Sequence, residues 1–173
     1  GEITVLVGGD DELRERQRDV LDSLGSPVIH VGPLGSAATI KVITNMLALT
    51  HLVAAGEALM LAKRSGVDLA TAFEVIKHSS GNSFVHETES QVILNGSYNI
   101  NFTMDLAVKD LGFAMAFGRE SGVPLDVAGH VYQTFIRARE AYGGSAWSPE
   151  VVRLLEDALS TDLRAPGFPE EIK

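Results

Sequence analysis

Apolar and polar positions follow two different rhythms along this chain. Ile3 to Val7 and Pro27 to Val31 are short apolar runs rich in β-branched residues, and they predict strands. Between them Asp10-Asp11 opens a helix that continues to about Leu24. From Ser36 onward the spacing is helical. The punctuation divides it into helices over Ser36 to Ser65, Asp68 to His78, Phe84 to Leu94, Met104 to Ser121, Pro124 to Ala141 and Pro149 to Leu159, with breaks at Gly66, Gly96, Gly122 and Gly143-Gly144. The expected class is mainly α: a strand-helix-strand piece over residues 1–31, then an all-helical domain over 32–173. Two strands do not make a stable sheet, so residues 1–31 are expected to pair with further strands or to lie at an edge.

The stretch from Ser36 to Ala62 is apolar on almost every side, and its run from Val42 to Ala62 is too apolar to face water on any side. Asn45, Thr50, His51, Gly56 and Glu57 interrupt it, and they favour a buried helix over a membrane span. Lys41 stands out there, because a buried ammonium is costly unless something holds it. Asn45 follows one turn later on the same face, so the two side chains can address one small polar ligand. A lysine can also snorkel to solvent and an asparagine can satisfy a neighbouring backbone group, and spacing alone favours those roles. The flanking chain shifts the balance. Gly32-Pro33-Leu34-Gly35 leads from the second strand into the helix with Ser36 as the expected N-cap, which sets Lys41 near the positive end of the helix dipole, where an anion is favoured.

The chain has 173 residues, 45% hydrophobic and 21% charged, which is enough for a sizeable core. It has no cysteine, so disulfides and thiolate chemistry are excluded, and this is compatible with a cytoplasmic protein. A formal net charge of −9 argues against nucleic acid or an anionic membrane surface as partner. The five histidines have no metal-ligand spacing, and no Gly-x-Ser-x-Gly elbow occurs. Asp105 and Lys109 have the spacing of an exposed i,i+4 ion pair. Ser79-Ser80-Gly81-Asn82-Ser83 reads as a helix end followed by a new N-cap.

Several segments taken in order carry a family likeness: Val7-Gly8-Gly9-Asp10, Gly32-Pro33-x-Gly35, Lys41 and Asn45, Glu57-Ala58-Leu59, Ser79-Ser80-Gly81-x-Ser83 and Phe102-x-x-Asp105-Leu106-x-x-Lys109-Asp110-Leu111. The chain resembles the β-hydroxyacid dehydrogenases, which include 3-hydroxyisobutyrate dehydrogenase and tartronate semialdehyde reductase, along nearly its whole length. It departs from the pattern at Thr44, where the family usually has the first of two asparagines. The resemblance implies a helical domain like the C-terminal domain of 6-phosphogluconate dehydrogenase over 32–173, and makes 1–31 the last piece of a Rossmann-type nucleotide-binding domain. It implies hydride transfer between NAD or NADP and a small 3-hydroxy acid or its semialdehyde. Lys41 would be the general acid and base with its pKa lowered by burial, Asn45 and Phe84 would bind substrate, Lys109 would reach the cofactor, and Asp110 would orient the helix start or pair with a base.

The Gly-rich pyrophosphate turn of such a family is not found, since neither Gly8-Gly9 nor Gly32 to Gly35 has its pattern. The expectation is therefore a fragment, inactive alone, with the cofactor bound mainly by a preceding half. The family's helical half also implies a homodimer or higher homo-oligomer, and a non-catalytic helical dimerisation domain is the alternative. On either reading the tail Leu163 to Pro169 is an arm that packs on a neighbour or a disordered end.

Overall fold

The structure, a computed structural model, describes residues 3–172. The sequence divides the chain after residue 31; the compact units divide between Thr44 and Asn45, inside one helix.

In the first unit, β1 (Val5–Gly8), α1 (Asp11–Arg16), α2 (Arg18–Leu24) and β2 (Val28–Gly32) lead into α3 (Ser36–Arg64). The single helix expected up to Leu24 is broken at Gln17, which closes α1 and opens α2. Asp10 starts α1 by accepting from the Leu13 amide at 2.8 Å. The two strands are parallel, with Val5 opposite Val28 and Leu6 opposite Ile29, and the register shifts so that Gly8 faces Gly32. Gly8 explains why the start of α3 belongs to this unit: a Cβ there would come within 3.0 Å of the Ala37 nitrogen and the Pro33 carbonyl, so the helix sits directly on the strand end. Ser36 is not the N-cap. It is the first residue inside α3, and the carbonyl of Gly35, whose φ of +97° suits glycine, accepts from the Thr39 amide.

In the second unit the rest of α3 is followed by α4 (Leu69–Lys77), α5 (Phe84–Asn95), α6 (Met104–Ser121), α7 (Asp126–Tyr142), a 3₁₀ turn (Ser148–Val152) and α8 (Arg153–Ala158). The starts follow the sequence, with side-chain caps from Asp68, Ser83 and Thr103. The last predicted helix differs: Pro149 lies in the 3₁₀ turn, and α-helical geometry begins at Arg153. Leu52, Leu59, Ile93, Leu94, Met104, Leu111, Phe135 and Leu163 form the centre of the core.

Helix α3 contributes a single stripe to that core, Leu49, Leu52, Gly56, Leu59 and Met60, at helical spacing. Leu47 and Leu61 of this helix are 49% and 69% exposed on the single chain, so its own unit does not cover every apolar face. By length and composition alone the helix could cross a bilayer, yet its buried stripe is the one-sided pattern of a helix packed on a globular core.

The tail is also corrected. It folds back on its own unit: Leu163 is fully buried, the Ala165 amide donates to the Leu94 carbonyl, Asn95 donates to the Phe168 carbonyl, and Phe168 meets Phe73 edge to face at 5.1 Å.

Candidate functional site

The polar groups singled out in the sequence fall on α3 and α6. Thr103 sets the start of α6 by capping the Leu106 amide, and the Met104 and Asp105 amides donate to the carbonyls of Ala146 and Gly144. This end of α6 is therefore tied down on two sides, and the residues one turn later inherit a fixed direction.

Within the second unit Asn45 Nδ2 donates to Asp110 Oδ2 at 2.6 Å. The Lys109 ammonium lies 3.2 Å from Asp110 Oδ1, so each oxygen of one carboxylate has its own partner. Asp110 is largely withdrawn from solvent at 13% side-chain exposure, whereas Lys109 is 53% exposed. A short contact from an amide to a shielded carboxylate is a charge-assisted hydrogen bond, roughly twice as strong as a neutral one. Among the described residues the Lys109 ammonium, which carries three donors, pairs with Asp110 alone.

Asp105 does not pair with Lys109. Its carboxylate accepts from Arg139 Nε on α7 at 2.5 Å, because Lys109 is drawn to the neighbouring Asp110 instead. The i,i+4 reading of that spacing is thereby replaced by two separate pairs. Asp110 was legible as a polar group of this helix, but its bond to Asn45 spans 65 positions and no local spacing rule reaches it.

Lys41 lies in the first unit, on the first turns of α3, beside a concavity lined by Ile3, Leu6, Ala37, Ala38 and Thr44. It is exposed, which corrects the expectation of a buried ammonium. The physical reason is position along the helix: the buried stripe of α3 begins only at Leu49, about two turns later. Phe84 is the first residue of α5, after the Ser83 cap, and is 82% exposed. It is not a member of the hydrogen-bonded set around Asp110. The loop before it behaves as its composition predicts: Ser79 returns a hydrogen bond to the Ile76 carbonyl, and Asn82 donates to Glu87 at 2.7 Å.

Two buried polar features lie outside this set. His86 is held structurally, between the Phe73 carbonyl at 2.9 Å and Ser90 at 3.2 Å. Glu89 has Oε2 sealed from solvent without a partner, and burial pushes its carboxyl up to about 7. Among the described residues no group of three or more histidine, aspartate or glutamate side chains could hold a metal ion.

Comparison with known proteins gives a consistent result. Residues 35–155 match the family described as NAD-binding of NADP-dependent 3-hydroxyisobutyrate dehydrogenase. An L-threonate dehydrogenase of Cupriavidus necator is 34% identical over 155 residues, covering 89% of this chain and 52% of the relative. A 2-(hydroxymethyl)glutarate dehydrogenase of Eubacterium barkeri is 32% identical over 90% of this chain and 52% of its own length. The crystal structure of a 3-hydroxyisobutyrate dehydrogenase from Salmonella typhimurium superposes with a TM-score of 0.81 at 32% identity, over 88% of this chain and 54% of that one. The chain spans about half the length of the curated relatives it matches.

Proposed function

Because the chain belongs to the β-hydroxyacid dehydrogenase family, we propose that it is the helical, substrate-handling part of an NAD(P)-dependent oxidoreductase that interconverts a small 3-hydroxy acid and its semialdehyde. The observation that carries this reading is the Asn45–Asp110 hydrogen bond, which holds a neutral amide in place four residues beyond Lys41 on one helix.

When bound, the nicotinamide supplies the hydride acceptor for the alcohol or the hydride donor for the aldehyde. The protein must then manage one proton on the substrate oxygen, and Lys41 is the group proposed for it. In reduction the ammonium gives a proton to the forming alkoxide; in oxidation the neutral amine takes the hydroxyl proton. Lys41 is exposed, so the water around it would be displaced by the bound substrate and cofactor. Asn45 transfers no proton and orients the substrate. Lys109 fits an anionic cofactor group, since its exposed ammonium retains free donors after pairing with Asp110. Phe84, apolar and exposed at the start of α5, would cover the substrate.

Threonate, 3-hydroxyisobutyrate and 2-(hydroxymethyl)glutarate, which give these relatives their names, all carry a hydroxyl on the carbon β to a carboxylate. That shared feature defines the proposed substrate class. The enzyme is further proposed to work in the cytoplasm, without nucleic-acid or membrane partners, as a homodimer or larger homo-oligomer. The exposed Leu47 and Leu61 of α3 supply apolar surface for such contact.

The test is steady-state hydride transfer by the protein at its full natural length, with NAD and NADP, on a panel of 3-hydroxy acids and their semialdehydes. Cofactor-dependent turnover of at least one pair is expected. No turnover with any pair and either cofactor overturns the reading.

A further inference from the structure

We propose that Asp110 is a positioning residue that fixes the orientation of the Asn45 amide, so that Asn45 meets the substrate as a hydrogen-bond acceptor and reads its hydroxyl, not its carboxylate. The inference rests on the hydroxyacid reading above and assigns a polarity to one contact within it.

A carboxylate has acceptors only, so whichever end of the Asn45 amide faces Asp110 must be its nitrogen. At 2.6 Å this contact is short and partly shielded, and the second Asp110 oxygen is engaged by Lys109 at 3.2 Å. A flipped amide would set two acceptor oxygens against each other. The orientation is thus imposed by chemistry, and Oδ1 becomes the free end. Among the described residues nothing donates to Asn45 Oδ1, and it is not one of the sealed, unpartnered side-chain atoms, which are Glu89 Oε2 and Asn99 Oδ1. It is therefore open to an incoming donor.

An open carbonyl oxygen repels a carboxylate and an aldehyde oxygen but accepts from an alcohol. The substrate hydroxyl carries one proton. It can be donated to Asn45, whereas the semialdehyde has no proton to donate. Asn45 held this way discriminates between the two forms of the substrate. The Asp110 carboxylate sets that preference through the amide.

The experiment compares wild type with Asp110→Asn at full natural length. An amide at position 110 can donate or accept, so it no longer dictates which end of Asn45 faces outward. The Michaelis constant for the hydroxy acid should rise roughly ten-fold, the loss expected for one charge-assisted hydrogen bond's worth of orientation, while that for the semialdehyde stays level or falls. A merely structural Asp110 would move both constants together, and an equal rise in both, or no change in either, overturns the proposal. Side-chain amide NMR of the wild type gives a second readout that needs neither turnover nor a folded variant. One Asn45 Nδ2 proton should be shifted downfield and protected from exchange with water by its bond to Asp110; two protons with ordinary shifts and unprotected exchange overturn the locked amide. A wild type with a locked amide but no hydride transfer would instead sink the dehydrogenase reading.

Discussion

The phenol of Tyr98, in the loop after α5, donates to the buried carboxylate of Glu156 on α8 at 2.6 Å. The same phenol oxygen accepts from Arg164 at 2.7 Å, and the other Glu156 oxygen takes the Leu163 amide at 2.6 Å and the Arg164 guanidinium at 3.1 Å. Burial, reinforced by Glu156, pushes the phenol well above its ordinary range, so it remains a donor at every physiological pH. The loop after α5 is thereby joined to α8 and to the tail through one carboxylate. Tyr98→Phe keeps the ring and removes one donor from a buried acceptor, so it should cost about 1–3 kcal/mol in urea denaturation. An unchanged midpoint would show that the network contributes nothing net.

Glu89 predicts an inverse pH dependence. Its carboxyl titrates at an ordinary 4.5 when unfolded and at about 7 when folded, because burial disfavours the charge. The unfolded chain therefore loses this proton first. The stabilisation is fully present below pH 4.5 and disappears as pH rises through about 7, up to roughly 3 kcal/mol in all. Glu89→Gln should flatten that fall and be more stable than wild type at pH 8 in thermal melts. Parallel pH profiles for the two proteins would refute the assignment.

Gly56 of α3 packs against the 3₁₀ turn: a Cβ there would lie 2.5 Å from Val152 Cγ1. Alanine improves helix propensity by about 1 kcal/mol, but overpacking of a filled core costs about 1–3 kcal/mol. Gly56→Ala should lower the melting temperature, and Gly56→Ala with Val152→Ala should recover part of the loss. A single variant that melts higher than wild type would mean the turn yields at little cost.

For Lys41 the prediction is kinetic. Lys41→Ala should lower kcat by roughly 10²–10⁴-fold, and Lys41→Arg should rescue little, because a guanidinium does not give up its proton. Since Lys41 is exposed, either change should leave the melting temperature within about 0.5 kcal/mol equivalent of wild type. A folded Lys41→Ala enzyme with wild-type kcat would take Lys41 out of the chemistry.

The order and type of nearly every element were legible from local pattern. Asp68, Ser83 and Thr103 announce the helices they cap, and Gly96 and Gly122 end theirs in the left-handed conformation that glycine adopts without a steric penalty. These signals act within one turn of the chain, so sequence carries them completely. The motif residues from Gly32 to Leu111 were equally sufficient for the family, and the match over residues 35–155 agrees with that reading.

What the tertiary structure decided are the pairings across long separations. Lys109 and Asp105 have ion-pair spacing, yet each takes another partner, because Asp110 and Arg139 lie nearer in space. The tail's composition fits an arm or a disordered end, but Leu163 and Phe168 find apolar ground on their own unit. The apolar run of α3 is not uniformly covered within the chain: its fully buried residues form one stripe from Leu49 to Met60, and Lys41 reaches solvent. Helix identity follows from contacts within a turn; side-chain burial and the choice of partner depend on which distant segment arrives alongside, and only the folded chain supplies that.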